Sequence, residues 1–276
     1  MATQTWIVAT AGTYDLAEAA SARLQVVGGV VEVVHREEPG VLVEVSDVVG
    51  APLEVTLEDG VLSVGYADLP WEGWLKRLGS HRGADSATVR CAVGPAVKVK
   101  VGAVGAAVCV NGLSENVSLA SASGPLAAQG VRAGLVARTV SGAVTATDHG
   151  GPIRVNSVSG PVSLAGAIAK ADVATVSGAA VIATTTGTSV IRAQGVSAAI
   201  DVTIPTESGL VLTARTLAGA VLVDGTDRRK NALPGTTSVD ERTGSEVGFV
   251  ELYSVSGALS VRRPGAGESD QLDEQG

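Results

Sequence analysis

Ser-Gly recurs at Ser123-Gly124, Ser141-Gly142, Ser159-Gly160 and Ser177-Gly178, each pair 18 residues after the one before. A further copy in the same local context, Ser256-Gly257, stands near the C-terminus. A fixed short period belongs to a chain that coils and stacks on itself, each repeat covering the apolar edge of its neighbour. No other feature restricts the fold as tightly.

Within each repeat, counted from the serine, apolar residues fall three and five places on (Leu126 and Ala128, Val144 and Ala146, Val162 and Leu164). They fall again twelve and fourteen places on (Leu135 and Ala137, Ile153 and Val155, Ala171 and Val173). Alternation with period two marks half-buried strands, so one repeat reads as two short strands and two turns. A valine precedes each Ser-Gly (Val140, Val158, Val176) and is read as prolonging the second strand into the turn. Gly134, Gly150 and Gly166 sit near mid-repeat, where the second turn belongs. Glycine suits these turns through its tolerance of positive φ.

The frame extends back through Gly105, with Val108, Val110, Val117 and Leu119 in phase, and degrades after Ser177, where Thr184–Gly187 reads as a widened turn. Glycine every eight or nine residues, with abundant Val and Thr, disfavours helices. Only residues 13–24 look locally helical. The expected fold is all-β: a parallel β-solenoid of about 18 residues per coil with end caps. It is read as a single domain over 1–263, with regular repeats over about 105–200.

Two segments leave the pattern. Residues 68–85 concentrate Trp71, Trp74, Lys76, Arg77 and Arg82 in a chain that is only 3% aromatic and carries a net charge of −8. They read either as a cap on the solenoid's apolar end or as a contact for a partner. Residues 224–248 read as a polar loop, and 264–276 as a disordered acidic tail. The acidic balance argues against nucleic acid, which requires a basic footprint. No apolar run reaches the roughly 18–20 residues of a membrane span, and no leader is visible at the N-terminus. A cytoplasmic monomer is expected.

Cys91 and Cys109 are also 18 residues apart. Alternation turns Cys91 inward with Val89 and Val93, and Cys109 outward between Val108 and Val110. Two free thiols are therefore expected. No Cys/His spacing for a metal exists, and the repeating serines are turn residues, not nucleophiles. Asp148-His149-Gly150 lies in a mid-repeat turn, without a nucleophile elbow nearby. The turns also lack the aspartates of calcium-binding nonapeptide repeats. The sequence thus offers no catalytic residue, cofactor site or metal site.

The recurring Thr/Ser-Val-Ser-Gly-x-Val pattern (Thr139–Val144, Ser157–Val162), the hairpin-like Leu53–Tyr66 turning at Glu58-Asp59-Gly60, the strand Ala87–Val93 and the closing Ser256–Arg263 resemble a bacterial family of β-strand-repeat proteins. Members carry the name adhesin, and their biochemical role is undefined. The chain looks like the soluble type found in high-GC actinobacteria. The resemblance covers most of the chain and implies no catalytic residues. The function expected is a non-enzymatic binding or scaffold module with a protein partner. The alternative is an element that self-assembles end to end, as bactofilins do. A polysaccharide-active β-helix enzyme is disfavoured, because coils this short carry almost no charge between 121 and 147.

Overall fold

A computed structural model describes residues 3–66, 85–228, 237–244 and 247–264. Every element among them is a strand, so no helix is long and apolar enough to cross a membrane. The chain forms two compact units, Met1–Thr145 and Ala146–Gly276.

In the first unit the strands are β1 (Gln4–Val8), β2 (Gly12–Leu16), β3 (Ser21–Val26), β4 (Gly28–His35), β5 (Val41–Val49), β6 (Leu53–Glu58) and β7 (Val61–Gly65). They continue with β8 (Ser86–Val93), β9 (Lys98–Ala103), β10 (Ala107–Asn111), β11 (Val117–Ser121), β12 (Leu126–Gln129) and β13 (Leu135–Thr139). β14 (Val144–His149) carries the boundary between the units. The strands are shared between two sheets, one ordered β1-β6-β7-β3-β9-β11-β13 and the other β2-β5-β8-β4-β10-β12, and from β8 onward they alternate between them. From β9 onward the pairs are parallel, with Val99 beside Val117 beside Leu135, and Val108 beside Leu126. These partners are 18 residues apart, and all are buried. Fully burying one such aliphatic contributes about 1.5–3 kcal/mol, so like residues at one spacing reinforce one register.

The beginning of the chain departs from this scheme. β1 pairs antiparallel with β6, and β6 with β7 through a turn at Asp59 and Gly60, both at positive φ. β2 pairs antiparallel with β5, and β5 with β8. Residues 13–24, read from sequence as locally helical, form β2, a short turn and most of β3. Pairing with β5 and β9 supplies the backbone partners that an isolated helix would have had to find within itself.

In the second unit, β15 (Ile153–Ser157), β17 (Lys170–Thr175), β19 (Val190–Gly195), β25 (Val247–Ser254), β21 (Gly209–Thr216) and β24 (Thr237–Thr243) adjoin in that order. The other sheet runs β16 (Val162–Gly166), β18 (Ala180–Thr184), β20 (Ile200–Thr203), β26 (Leu259–Arg262), β22 (Val221–Val223) and β23 (Thr226–Asp227). Spacing between partners grows from 18 at Ile153/Ala171 to 20 at Ala171/Ile191. The extra residues fall at Thr184–Gly187, where Thr184 Oγ1 donates to the Ile168 carbonyl and accepts from the Thr186 N–H. β25 then inserts between β19 and β21, parallel to both. Residues 224–248, read as a polar loop, contain β23, β24 and the first residues of β25.

Of the mid-repeat glycines read as suiting positive φ, Gly166 takes it, at 143°, and Gly134 and Gly150 do not. Gly124, Gly142 and Gly178, at the Ser-Gly corners, do not take it either. Their missing side chains serve close approach instead: a Cβ at Gly178 would stand 2.1 Å from the Gly160 carbonyl oxygen. The valines before Ser-Gly point outward, with Val158 and Val176 nearly half exposed. The last inward residue is the one before them, where Ser157 Oγ donates to the Gly160 carbonyl at 2.7 Å and Thr175 Oγ1 to that of Gly178 at 3.0 Å. At these two corners the hydroxyl satisfies a carbonyl that would be costly to bury unmet, whereas the Ser121 and Thr139 hydroxyls at the equivalent positions have no hydrogen-bond partner among the described residues.

Candidate functional site

The outer face of the second unit's β15-β17-β19-β25-β21 sheet gathers the side chains a binding surface uses. Register places three rows side by side. The first runs Arg154, Asp172, Arg192, Glu251, Thr213 and Asp240 across successive strands. It is an alternating ladder: Arg154 meets Asp172 at 3.3 Å, Arg192 meets Glu251 at 2.7 Å, and Thr213 donates to Asp240 at 2.9 Å. The Glu251 hydrogen bond, reinforced by its charge, raises the Arg192 pKa and keeps that guanidinium protonated.

The second row is Asn156, Ala174, Gln194, Tyr253 and Arg215. The third lies at the corner, where Val158, Val176, Val196, Val255 and Leu217 stand about half exposed. Between the second and third rows runs a cleft of about 660 Å³, floored by Ser157, Thr175, Gly195, Ser254 and Thr216. A smaller hollow of about 280 Å³ lies between the first and second rows. Asn156, Ala174, Gln194 and Tyr253 line both. Ala174 is the short member of its row, so the two hollows meet over it.

β25 adds aromatic surface. Phe249, Glu251 and Tyr253 alternate outward along it, with Phe249 47% and Tyr253 40% exposed. Phe249 is the chain's single phenylalanine. Its outward position is informative, because the narrow interior is filled by Val, Leu, Ile and Ala.

Sequence reasoning did not find this site. The alternation Phe249-Val250-Glu251-Leu252-Tyr253 was available as a strand signal, but its neighbours were not, since β25 joins the sheet out of chain order. The residues singled out as a partner contact, Trp71, Trp74, Lys76, Arg77 and Arg82, lie outside the described residues. The thiols are both free, with Cys91 buried and Cys109 partly exposed. Burial pushes the Cys91 pKa up to about 12. His149 is 1% exposed, and its Nε2 lies 3.4 Å from the Pro152 carbonyl. Burial lowers its pKa. The repeat serines are engaged in the corners: Ser123, Ser141 and Ser177 each donate to a carbonyl of the preceding turn. Among the described residues no group of three or more His, Cys, Asp or Glu side chains could hold a metal ion.

No protein-family model matches the chain, and no curated protein matches it. Three solved structures do. A protein of Clostridium sporogenes, named as a candidate cell adhesion protein, is 9% identical, with 92% of this chain and 99% of that chain covered and a TM-score of 0.27. Candidate adhesins of Parabacteroides merdae and Parabacteroides distasonis are 12% and 14% identical. Each covers 91% of this chain, with 95% and 96% of their own, at a TM-score of 0.39.

Proposed function

We propose that the chain is a non-enzymatic, adhesin-like binding module in which each unit is a short-period parallel β-solenoid, and that the outer face of the second unit contacts a protein partner. The observation that carries this is the exposure of Tyr253 beside the Val176–Val196–Val255 stripe, with Phe249 exposed farther along the same strand, beyond the Arg192–Glu251 pair. A contiguous apolar surface rimmed by polar groups marks a contact site. Aromatic residues and arginine anchor such contacts, and lysine is depleted from them. The non-enzymatic reading rests on His149 being buried and on the serines being committed to corners. Self-assembly through strand edges is disfavoured because the edge strand β24 carries Asp240, Glu241 and Arg242, charges that discourage strand addition.

The test is affinity capture from native lysate with the intact chain and with Phe249→Ala/Tyr253→Ala, after matching their melting temperatures. Specific partners should be lost from the double variant. An identical captured set would end this reading. Capture with Trp71→Ala/Trp74→Ala measures the contribution of the segment that the sequence singles out.

A further inference from the structure

We infer that the cleft on the second unit receives an extended peptide segment bearing apolar side chains and a single carboxylate, with the carboxylate seated on Arg215. This rests on the binding-module reading and names the chemistry of its partner.

Charge comes first. Of the charged residues around the cleft, Arg154, Asp172, Arg192 and Glu251 already pair with one another. Arg215 lines the cleft, is exposed, and forms no ion pair with any described carboxylate. Its register neighbours are Tyr253 and Ser238. A ligand complementary to this surface therefore brings one negative charge, at the Arg215 end, and no other. A guanidinium takes a carboxylate through two parallel hydrogen bonds.

Shape and polarity decide the rest. One wall is the branched aliphatic stripe Val176, Val196, Val255 and Leu217, which suits apolar side chains. The opposite wall carries the amides of Asn156 and Gln194, two strands apart, or about 9.6 Å at the usual strand spacing. Neither amide has a hydrogen-bond partner among the described residues. Each offers a donor and an acceptor together, the pair that a peptide backbone presents in return. Ala174 between them leaves room for that backbone to approach. A neutral glycan would meet the amides and the tyrosine, but it has nothing for the aliphatic wall or for Arg215.

The test uses the full chain as bait for a phage-displayed random peptide library. Selected peptides are remade and titrated by fluorescence anisotropy. Binders should combine apolar residues with one Asp, Glu or free C-terminus. Ala174→Trp, which fills the junction from the outside, should weaken them by about tenfold or more, as expected of an interface hot spot. Arg215→Gln and replacement of the peptide carboxylate by an amide should each weaken binding, and together no more than either alone. Failure to select any peptide, equal affinity for Ala174→Trp, or additive losses in the Arg215 cycle would overturn the inference. So would binding of a neutral glycan on an array that Ala174→Trp abolishes. If peptides fail while Phe249→Ala/Tyr253→Ala still loses a lysate partner, the binding-module reading survives and the peptide chemistry falls.

Discussion

The outer faces of the two units are built on the same parallel backbone and carry opposite chemistry. Across β3, β9, β11 and β13 of the first unit, one outward row reads Arg23, Lys100, Ser118, Val136. The next reads Gln25, Gly102, Ala120, Arg138. Like charges stand side by side at Arg23 and Lys100, the neighbours are small, and neither row has an aromatic ring. The corresponding rows of the second unit hold the ion-paired ladder, the two amides and Tyr253. The inward rows hardly differ, since both are Val, Leu, Ile and Ala. The inward rows therefore specify the fold, and the outward rows are free to specify what it touches.

The strongest attack on that division is a charge placed inside. Leu119→Asp in the first unit and Val155→Asp in the second each bury an unpaired carboxylate. Each should cost about 3 kcal/mol or more, whereas Thr145→Asp on an exposed position should stay within about 0.5 kcal/mol. Chemical denaturation of the three variants decides it, and tolerance in only one unit would mean that the interiors are not equivalent.

The corners come next. A Cβ at Gly124 would stand 2.0 Å from the Ala106 carbonyl oxygen, nearly the same approach as at Gly178. Gly124→Ala and Gly178→Ala should therefore each cost about 1–3 kcal/mol, the usual range for overpacking. A silent Gly124→Ala would separate the units at their corners.

Acid should separate them deliberately. His149, buried in the second unit with Nδ1 lacking a hydrogen-bond partner, has its folded pKa lowered below the ordinary 6.5 by burial. The neutral ring is the folded form, so its contribution is complete above 6.5 and is lost as pH falls through the folded pKa. Hydrogen exchange at pH 6.5 and at successively lower pH should show β16 and β18 loosening before β9 and β11 of the first unit, whose His35 is exposed. His149→Gln should remove the difference, and uniform loosening of both units would refute it.

The smallest effects concern the outward rows themselves. Lys100→Glu sets a carboxylate beside Arg23 and should stabilise by about 0.2–1 kcal/mol, while Glu251→Lys sets a cation beside Arg192 and should destabilise by a similar amount. Both shifts should shrink as salt rises. Melting curves at two ionic strengths test the pair, and shifts of the same sign would show that the charge rows do not act as drawn.

Much of the parallel core could be read from the chain because Val99, Val117 and Leu135, or Ile153 and Ala171, recur at one spacing and stack at that spacing. The opening residues could not, because Leu16, Ala19 and Ala20 suit a helix locally and become strand and turn only through partners far along the chain. β24 was hidden by its own charges, which an edge strand tolerates and a buried strand would not. The valines of the corner were read as prolonging the strand into the turn, and periodicity alone did not say which face they take. The candidate site was illegible for a topological reason: Tyr253 lies between Gln194 and Arg215 in space and beyond both in sequence.

That insertion also sets an order of assembly. β19 and β21 emerge from the ribosome well before β25, and neither can take its native partner on that side until residues 247–254 have been made. Until then both present open edges, and they can pair wrongly with each other at nearly the spacing of the preceding strands. The aromatic face is thus the latest part of its sheet to form. A nascent or truncated chain that stops before Val247 would lack Phe249, Glu251 and Tyr253 and with them the proposed contact face.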